Sequence, residues 1–154
     1  MRNPPKRWTL AQWGLLVIAL IHVPWAVAGF IAEPSFAIGP DAPTASVLGM
    51  DYNGWHAVAG LMLFVPGLFL AVRNSWSVLY LLFAGVSGGL SGVWALASSR
   101  VLYVLHMPNH IPDAILHLVT ATIMVAIAVI QVRRDGGWRN TLQDLPWRQL
   151  QTTT

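Results

Sequence analysis

Residues 10–32 read LAQWGLLVIALIHVPWAVAGFIA, a run without Asp, Glu, Lys or Arg. A helix needs about 20 apolar residues to cross a hydrocarbon core roughly 30 Å thick, so this run predicts a membrane span. Three further runs with uncharged cores follow, at about 53–72, 77–98 and 112–132. They are continuously apolar rather than alternating, which favours helices over the strands of a barrel. We therefore expect an all-α fold, an integral membrane four-helix bundle.

The composition supports a membrane protein. The 154 residues are 55% hydrophobic and only 10% charged, with a mean hydropathy of +0.57, which is too apolar for an ordinary soluble domain. The formal net charge is +3, but the basic residues stand at the ends of the spans in ones and twos. This pattern predicts a lipid bilayer as partner and no nucleic acid. The lack of cysteine excludes disulfides and thiolate metal sites.

The distribution of basic residues predicts the orientation. Cytoplasmic loops of membrane proteins are enriched in Lys and Arg. Such residues precede the first span, separate the second from the third, and follow the fourth: Arg2, Lys6, Arg7, Arg73, Arg133, Arg134, Arg139 and Arg148. We expect a multi-pass protein of a bacterial plasma membrane with cytoplasmic N- and C-termini. Residues 136–150, with Trp, Leu and Arg, predict a cytoplasmic segment lying in the membrane interface.

Two polar motifs begin the second and fourth spans. Asn53-Gly54-Trp55-His56 leads to Gly60, and Asp113-Ala114-Ile115-Leu116-His117 occupies the equivalent place in the fourth span. Asn53 suits an N-cap that accepts from the amide of His56. Asp113 suits the positive end of a helix. Both histidines lie about one turn inside the membrane boundary, where a polar side chain points into the bundle.

The histidines allow several functions. His56 and His117 are candidate axial ligands of haem b on facing helices. A zinc or copper site could add Asp113 and His110 to the same pair. A proton relay would use a histidine beside the Asp113 carboxylate. Interhelical hydrogen bonds need no cofactor and are common in membrane bundles, so we expect no cofactor.

A transporter is a further alternative. Pro24 and Pro66 fall inside spans and predict kinks that could line a solute path. We expect no buried carboxylate to couple such transport. There is no nucleophile elbow, phosphate loop or His-Glu-x-x-His motif, so enzymatic chemistry has no support. The sequence favours a non-enzymatic accessory or structural membrane component over a haem- or metal-binding redox subunit or a solute or proton transporter.

The third span carries a face of small residues, which are Gly85, Gly88, Gly89 and Gly92. Overlapping small-xxx-small pairs let a neighbouring backbone approach closely. We expect the neighbouring helix to belong to the same chain. Self-association or another membrane protein is the alternative partner for this face.

Several short motifs together resemble an uncharacterised bacterial family of small four-helix integral membrane proteins, known as a domain of unknown function. The resemblance covers about Trp13 to Ile130. It rests on Gly29-Phe30, Val47-Leu48-Gly49, Asn53-x-x-His56-x-x-x-Gly60, and Pro108-Asn109 followed by Asp113-x-x-Leu116-His117. The family often has a further histidine shortly before the position of His56, where this chain has Asp51 and Tyr52. The resemblance implies four helices, both ends inside and no known activity.

Overall fold

The computed structural model describes residues 7–39, 41–98, 100–101, 105–106 and 111–146. The described residues are mostly helical. Its helices are α1 (Leu10–Ala32), α2 (Gly54–Leu70), α3 (Asn74–Ala97), α4 (Ile111–Arg134) and the short α5 (Trp138–Thr141). The structure also contains short antiparallel strands, which the all-α prediction does not include. β1 (Ala45–Val47) pairs with β2 (Met50–Tyr52), and β3 (Arg100–Val101) pairs with β4 (Leu105–His106). The candidate ligand His110 and the tail beyond Pro146 lie outside the described residues.

Three helices, α1, α3 and α4, are long and apolar enough to cross a membrane. The fourth apolar helix, α2, has 17 residues. The outward faces of these helices expose large apolar side chains, for example Trp13, Leu20, Phe69 and Leu90. Apolar surface of this extent is unfavourable in water and favourable in lipid. The chain therefore has the character of a helical membrane protein.

The helix boundaries differ from the sequence prediction mainly between α2 and α3. The second span was expected to end at residue 72 and the third to begin at 77, but α2 ends at Leu70 and α3 begins at Asn74. A short turn over residues 71–73 separates them. The polar start of α3 is stable because the Ser75 amide donates to Asp144 Oδ1 over 3.2 Å. A carboxylate from the tail thus caps the helix, which the local sequence does not reveal.

The helices pack as two pairs. α1 lies along α2 and α3 lies along α4, with much less extensive contact between the pairs. Glycines of the α3 face meet α4 of the same chain, since a Cβ at Gly85 or at Gly92 would lie 3.2 Å from a carbonyl oxygen of α4. Gly88 instead faces α2, where its nearest neighbour would be Leu63 Cδ2 at 4.0 Å. Gly88 thus lies on the side of α3 that faces the other helix pair.

A polar network joins the helices at the end where α1 and α3 begin. The Asp135 carboxylate accepts from Asn74 Nδ2 over 2.8 Å and from Gln131 Nε2 over 2.7 Å. Asn74 in turn accepts from Thr9 Oγ1 over 2.7 Å, and the Thr9 side chain caps α1. These contacts fix the helix ends to one another and close the bundle on this side.

The segment after α4 packs against this network. Thr141 and Leu145 are buried, whereas Trp138 is 47% exposed. Ser75 Oγ donates to the Thr141 carbonyl oxygen over 2.7 Å. α5 ends at Thr141, and the chain then forms a turn over residues 142–144.

Candidate ligand-binding cavity

The opposite end of the helices is covered by the β1–β2 hairpin. Its two-residue turn has positive φ at Leu48 (53°) and Gly49 (82°), which matches the twist of a tight hairpin. Trp25 Nε1 of α1 donates to the Val47 carbonyl oxygen over 3.0 Å and holds the hairpin against the helix. Gly29 of α1 lies under the Tyr52 ring, where a Cβ would be 2.8 Å from Tyr52 Cε1. The missing side chain of Gly29 therefore makes room for Tyr52.

His56 is held from two directions at the start of α2. Asn53 caps the helix as expected, its side chain accepting from the His56 amide over 3.0 Å. The imidazole Nδ1 lies 2.8 Å from the Asp51 carbonyl oxygen. Because a carbonyl can only accept, Nδ1 carries the hydrogen and donates. The ring also stacks on Tyr52, with centroids 4.6 Å apart.

His117 reaches the same region from α4. A Cβ at Gly92 would lie 3.0 Å from His117 Cβ, so the glycine face of α3 determines where this part of α4 lies. The His56 and His117 ring centroids are 5.9 Å apart. The structure thus brings together the two histidines that the sequence singled out.

A third histidine, His22 of α1, joins them from greater depth. Its Nδ1 donates to the Ile18 carbonyl oxygen over 2.8 Å. Its ring stacks on Phe64 of α2, with centroids 4.2 Å apart. His22 lies about half-way along α1, and the packing of α1 on α2 brings it to the same space as His56.

These three histidines line one cavity of about 300 Å³ between the two helix pairs. Most of its wall is apolar or aromatic, with Trp25, Tyr52 and Phe64 among the lining residues. No Asp, Glu, Lys or Arg belongs to the described lining. A mostly apolar cavity with a few convergent polar groups is typical of a small-molecule site.

The cavity opens between α2 and α3. Ala59 of α2 and Ser91 of α3 both line it and are both exposed on the surface of the helices. Contact between α2 and α3 is sparse compared with contact within each pair. These two exposed lining residues indicate that the cavity opens to the outer surface of the helices between α2 and α3.

Asp113 is buried in the first turn of α4, only 1% exposed. The sequence expectation that no carboxylate is buried is therefore wrong, because the helix end is covered by the β1–β2 hairpin. Burial raises the pKa of Tyr52 to about 12, and the negative charge of Asp113 adds to that rise. Asp113 also interacts electrostatically with His56. The Asp113 carboxylate therefore acts electrostatically on Tyr52 and His56 without belonging to the cavity lining.

The structure describes three of the four predicted metal ligands. In the part of the chain that the structure describes, no group of three or more His, Cys, Asp or Glu side chains is placed to hold a metal ion. His56, Asp113 and His117 are near one another, whereas His110 lies outside the described residues. Sequence reasoning missed Tyr52 and the hairpin. The available signal was Val47-Leu48-Gly49, in which a strand-forming valine is followed shortly by a glycine that suits a tight turn.

Fold and cavity together define a helical membrane protein with an internal, histidine-lined cavity. The chain belongs to the family described as domain of unknown function DUF4383, whose model matches residues 12–130. This confirms the resemblance to a family of unknown function. No curated protein and no solved structure matches the chain.

Proposed function

We propose that the chain is a four-span protein of a bacterial plasma membrane, with both termini on the cytoplasmic side. At 1.5 Å per residue the 17 residues of α2 extend roughly 26 Å, near the lower limit of a span. Arg73, Arg133, Arg134 and Arg139 gather at the end where α1 and α3 begin, which is the arrangement that the positive-inside rule associates with the cytoplasm. The histidine-lined cavity then lies in the outer half of the membrane.

The function we propose is non-enzymatic binding of a small lipid-soluble molecule in this cavity. The observation that carries the proposal is the convergence of His22, His56 and His117 from three helices on one space of about 300 Å³. If the three histidines only formed hydrogen bonds between helices, we would expect their rings to pack against other side chains and leave no such cavity. An accessory membrane protein that holds a lipid-soluble molecule fits both the apolar wall and the few polar groups.

Quenching of Trp25 tests this function, because the indole lines the cavity. The protein in lipid nanodiscs is titrated with 1-bromonaphthalene, whose bromine quenches a tryptophan that it contacts. We expect a saturable quenching component that disappears in Trp25→Phe. Partition of the probe into lipid alone gives quenching that rises without saturation.

Gly88→Met is the variant that fills the cavity. Gly88 lines the cavity, and an added Cβ would meet nothing closer than 4.0 Å, so the new side chain enters the empty space without displacing a helix. The saturable component should be lost. Leu90→Met on the same helix, at a position 67% exposed, is the matched control and should keep it. Saturable quenching that is equal in both variants contradicts binding in this cavity.

A second candidate function is haem or metal binding by His56 and His117. The observation that favours it is the 5.9 Å separation of the two ring centroids. An optical spectrum and metal analysis of the purified protein test it. A Soret band or stoichiometric zinc or copper that is lost in His56→Ala and His117→Ala would support this candidate against the binding of an organic molecule.

A further inference from the structure

The chemistry of the cavity narrows the class of molecule that it holds, an inference that rests on the proposed function. Two of its histidines have their ring hydrogens fixed by the backbone. His22 Nδ1 donates to Ile18 and His56 Nδ1 donates to Asp51, each over 2.8 Å to a carbonyl oxygen. In a neutral imidazole the other nitrogen, Nε2, then carries a lone pair and can only accept. The ligand should therefore bring hydrogen-bond donors.

The ligand should also be uncharged. None of the described lining residues is acidic or basic apart from histidine, and Asp113 is not among them. A charged molecule would lose its hydration without gaining a counter-ion, which disfavours binding. A neutral hydroxyl group loses less and is compensated by one hydrogen bond.

The size of the cavity and the aromatic side chains of its wall favour a ligand that contains a ring. A cavity of about 150 Å³ is enough to hold benzene, so about 300 Å³ accommodates a substituted or two-ring compound. Trp25, Tyr52 and Phe64 offer aromatic surfaces on which such a ring can stack. The opening beside Ala59 and Ser91 meets the lipid-facing surface, so the compound can enter from the bilayer.

We infer that the cavity binds an uncharged, lipid-soluble ring compound that bears a hydroxyl group, a phenol or hydroquinone. Its hydroxyl donates to Nε2 of His22 or of His56. The ring lies against the aromatic wall and any apolar tail leaves through the opening between α2 and α3. Neither histidine needs to change its protonation state for binding.

The test compares 4-bromo-1-naphthol with 1-bromonaphthalene, which differ by one hydroxyl group, in the Trp25 quenching titration. One neutral hydrogen bond should make the naphthol bind about fivefold tighter. Cationic 4-bromo-1-naphthylmethylamine and anionic 4-bromo-1-naphthoate should bind more weakly than the naphthol. In His22→Phe combined with His56→Phe, the two neutral probes should bind equally.

Nitrogen-15 NMR of histidine side chains in the unmodified protein gives a second readout that needs no variant. The naphthol should shift the signal of an unprotonated ring nitrogen, and 1-bromonaphthalene should not. Equal affinity of the two neutral probes, or tighter binding of a charged probe, would overturn the phenol or hydroquinone class while leaving the proposed function intact. If neither neutral probe binds saturably, the proposed function itself fails.

Discussion

Replacing Gly29 by alanine tests how the β1–β2 hairpin is seated on α1. The new Cβ would overlap Tyr52 Cγ and Cδ1 and would lie 2.8 Å from Cε1. Carbon atoms pack at about 3.5–4.0 Å, so the ring must retreat by about 1 Å. Tyr52 is 6% exposed and stacked on His56, which leaves it little space. Overpacking of this kind costs about 1–3 kcal/mol, and the better helix propensity of alanine offsets about 0.5–1 kcal/mol.

We therefore expect Gly29→Ala to lower the free energy of unfolding by about 1–2 kcal/mol, measured by reversible unfolding in mixed micelles. Gly60→Ala, on the neighbouring contact between α2 and α1, is the matched control, because its Cβ would lie 3.3 Å from Ala26 Cβ and a small shift relieves it. In a Tyr52→Ala background the cost of Gly29→Ala should vanish. A Gly29→Ala protein as stable as the unmodified protein would refute the seating of Tyr52 on this glycine.

Three further predictions concern charge and capping. In an absorbance titration Tyr52 should ionise near pH 12. Because a tyrosine in the unfolded chain ionises at about pH 10, the contribution of neutral Tyr52 to the folding stability is complete below pH 10 and is lost as the pH rises to 12. Asp113→Asn should lower this pKa but leave it above 10.0, since burial is the larger cause. Asn53→Ala should destabilise by about 1 kcal/mol, and Asn53→Ser by much less, in chemical unfolding. Asp135→Ala, which deprives two amide donors of their acceptor, should cost about 1–3 kcal/mol, whereas Asp41→Ala on the exposed loop should cost little.

The sequence predicts the apolar helices well because a helix that crosses a membrane needs about 20 consecutive, mostly apolar residues. The span at 10–32 coincides with α1, and the cap at Asn53 follows from local chemistry. The start of α3 differs from the prediction because a distant partner satisfies it. Asp144 caps α3 from the tail, a contact that no window of the sequence contains.

The candidate site was predicted only in part. His56 is the third residue of α2 and His117 the seventh of α4, so the early position of each in its helix predicts that both lie near the same end of the bundle. The place of His22 depends on how α1 packs on α2, and the burial of Asp113 depends on the hairpin that covers it. The cavity between the helix pairs depends on how all four long helices and the hairpin pack together. Periodicity does not reveal such a space.

The position of the bromine atom in a complex with 4-bromo-1-naphthol tests the central claim most directly. Anomalous diffraction from crystals grown in lipid locates bromine independently of the protein atoms. The account predicts one strong bromine peak inside the cavity bordered by His22, His56 and His117, absent in Gly88→Met. Bromine found only along the outer faces of the helices, with the cavity empty or filled by side chains, would contradict it.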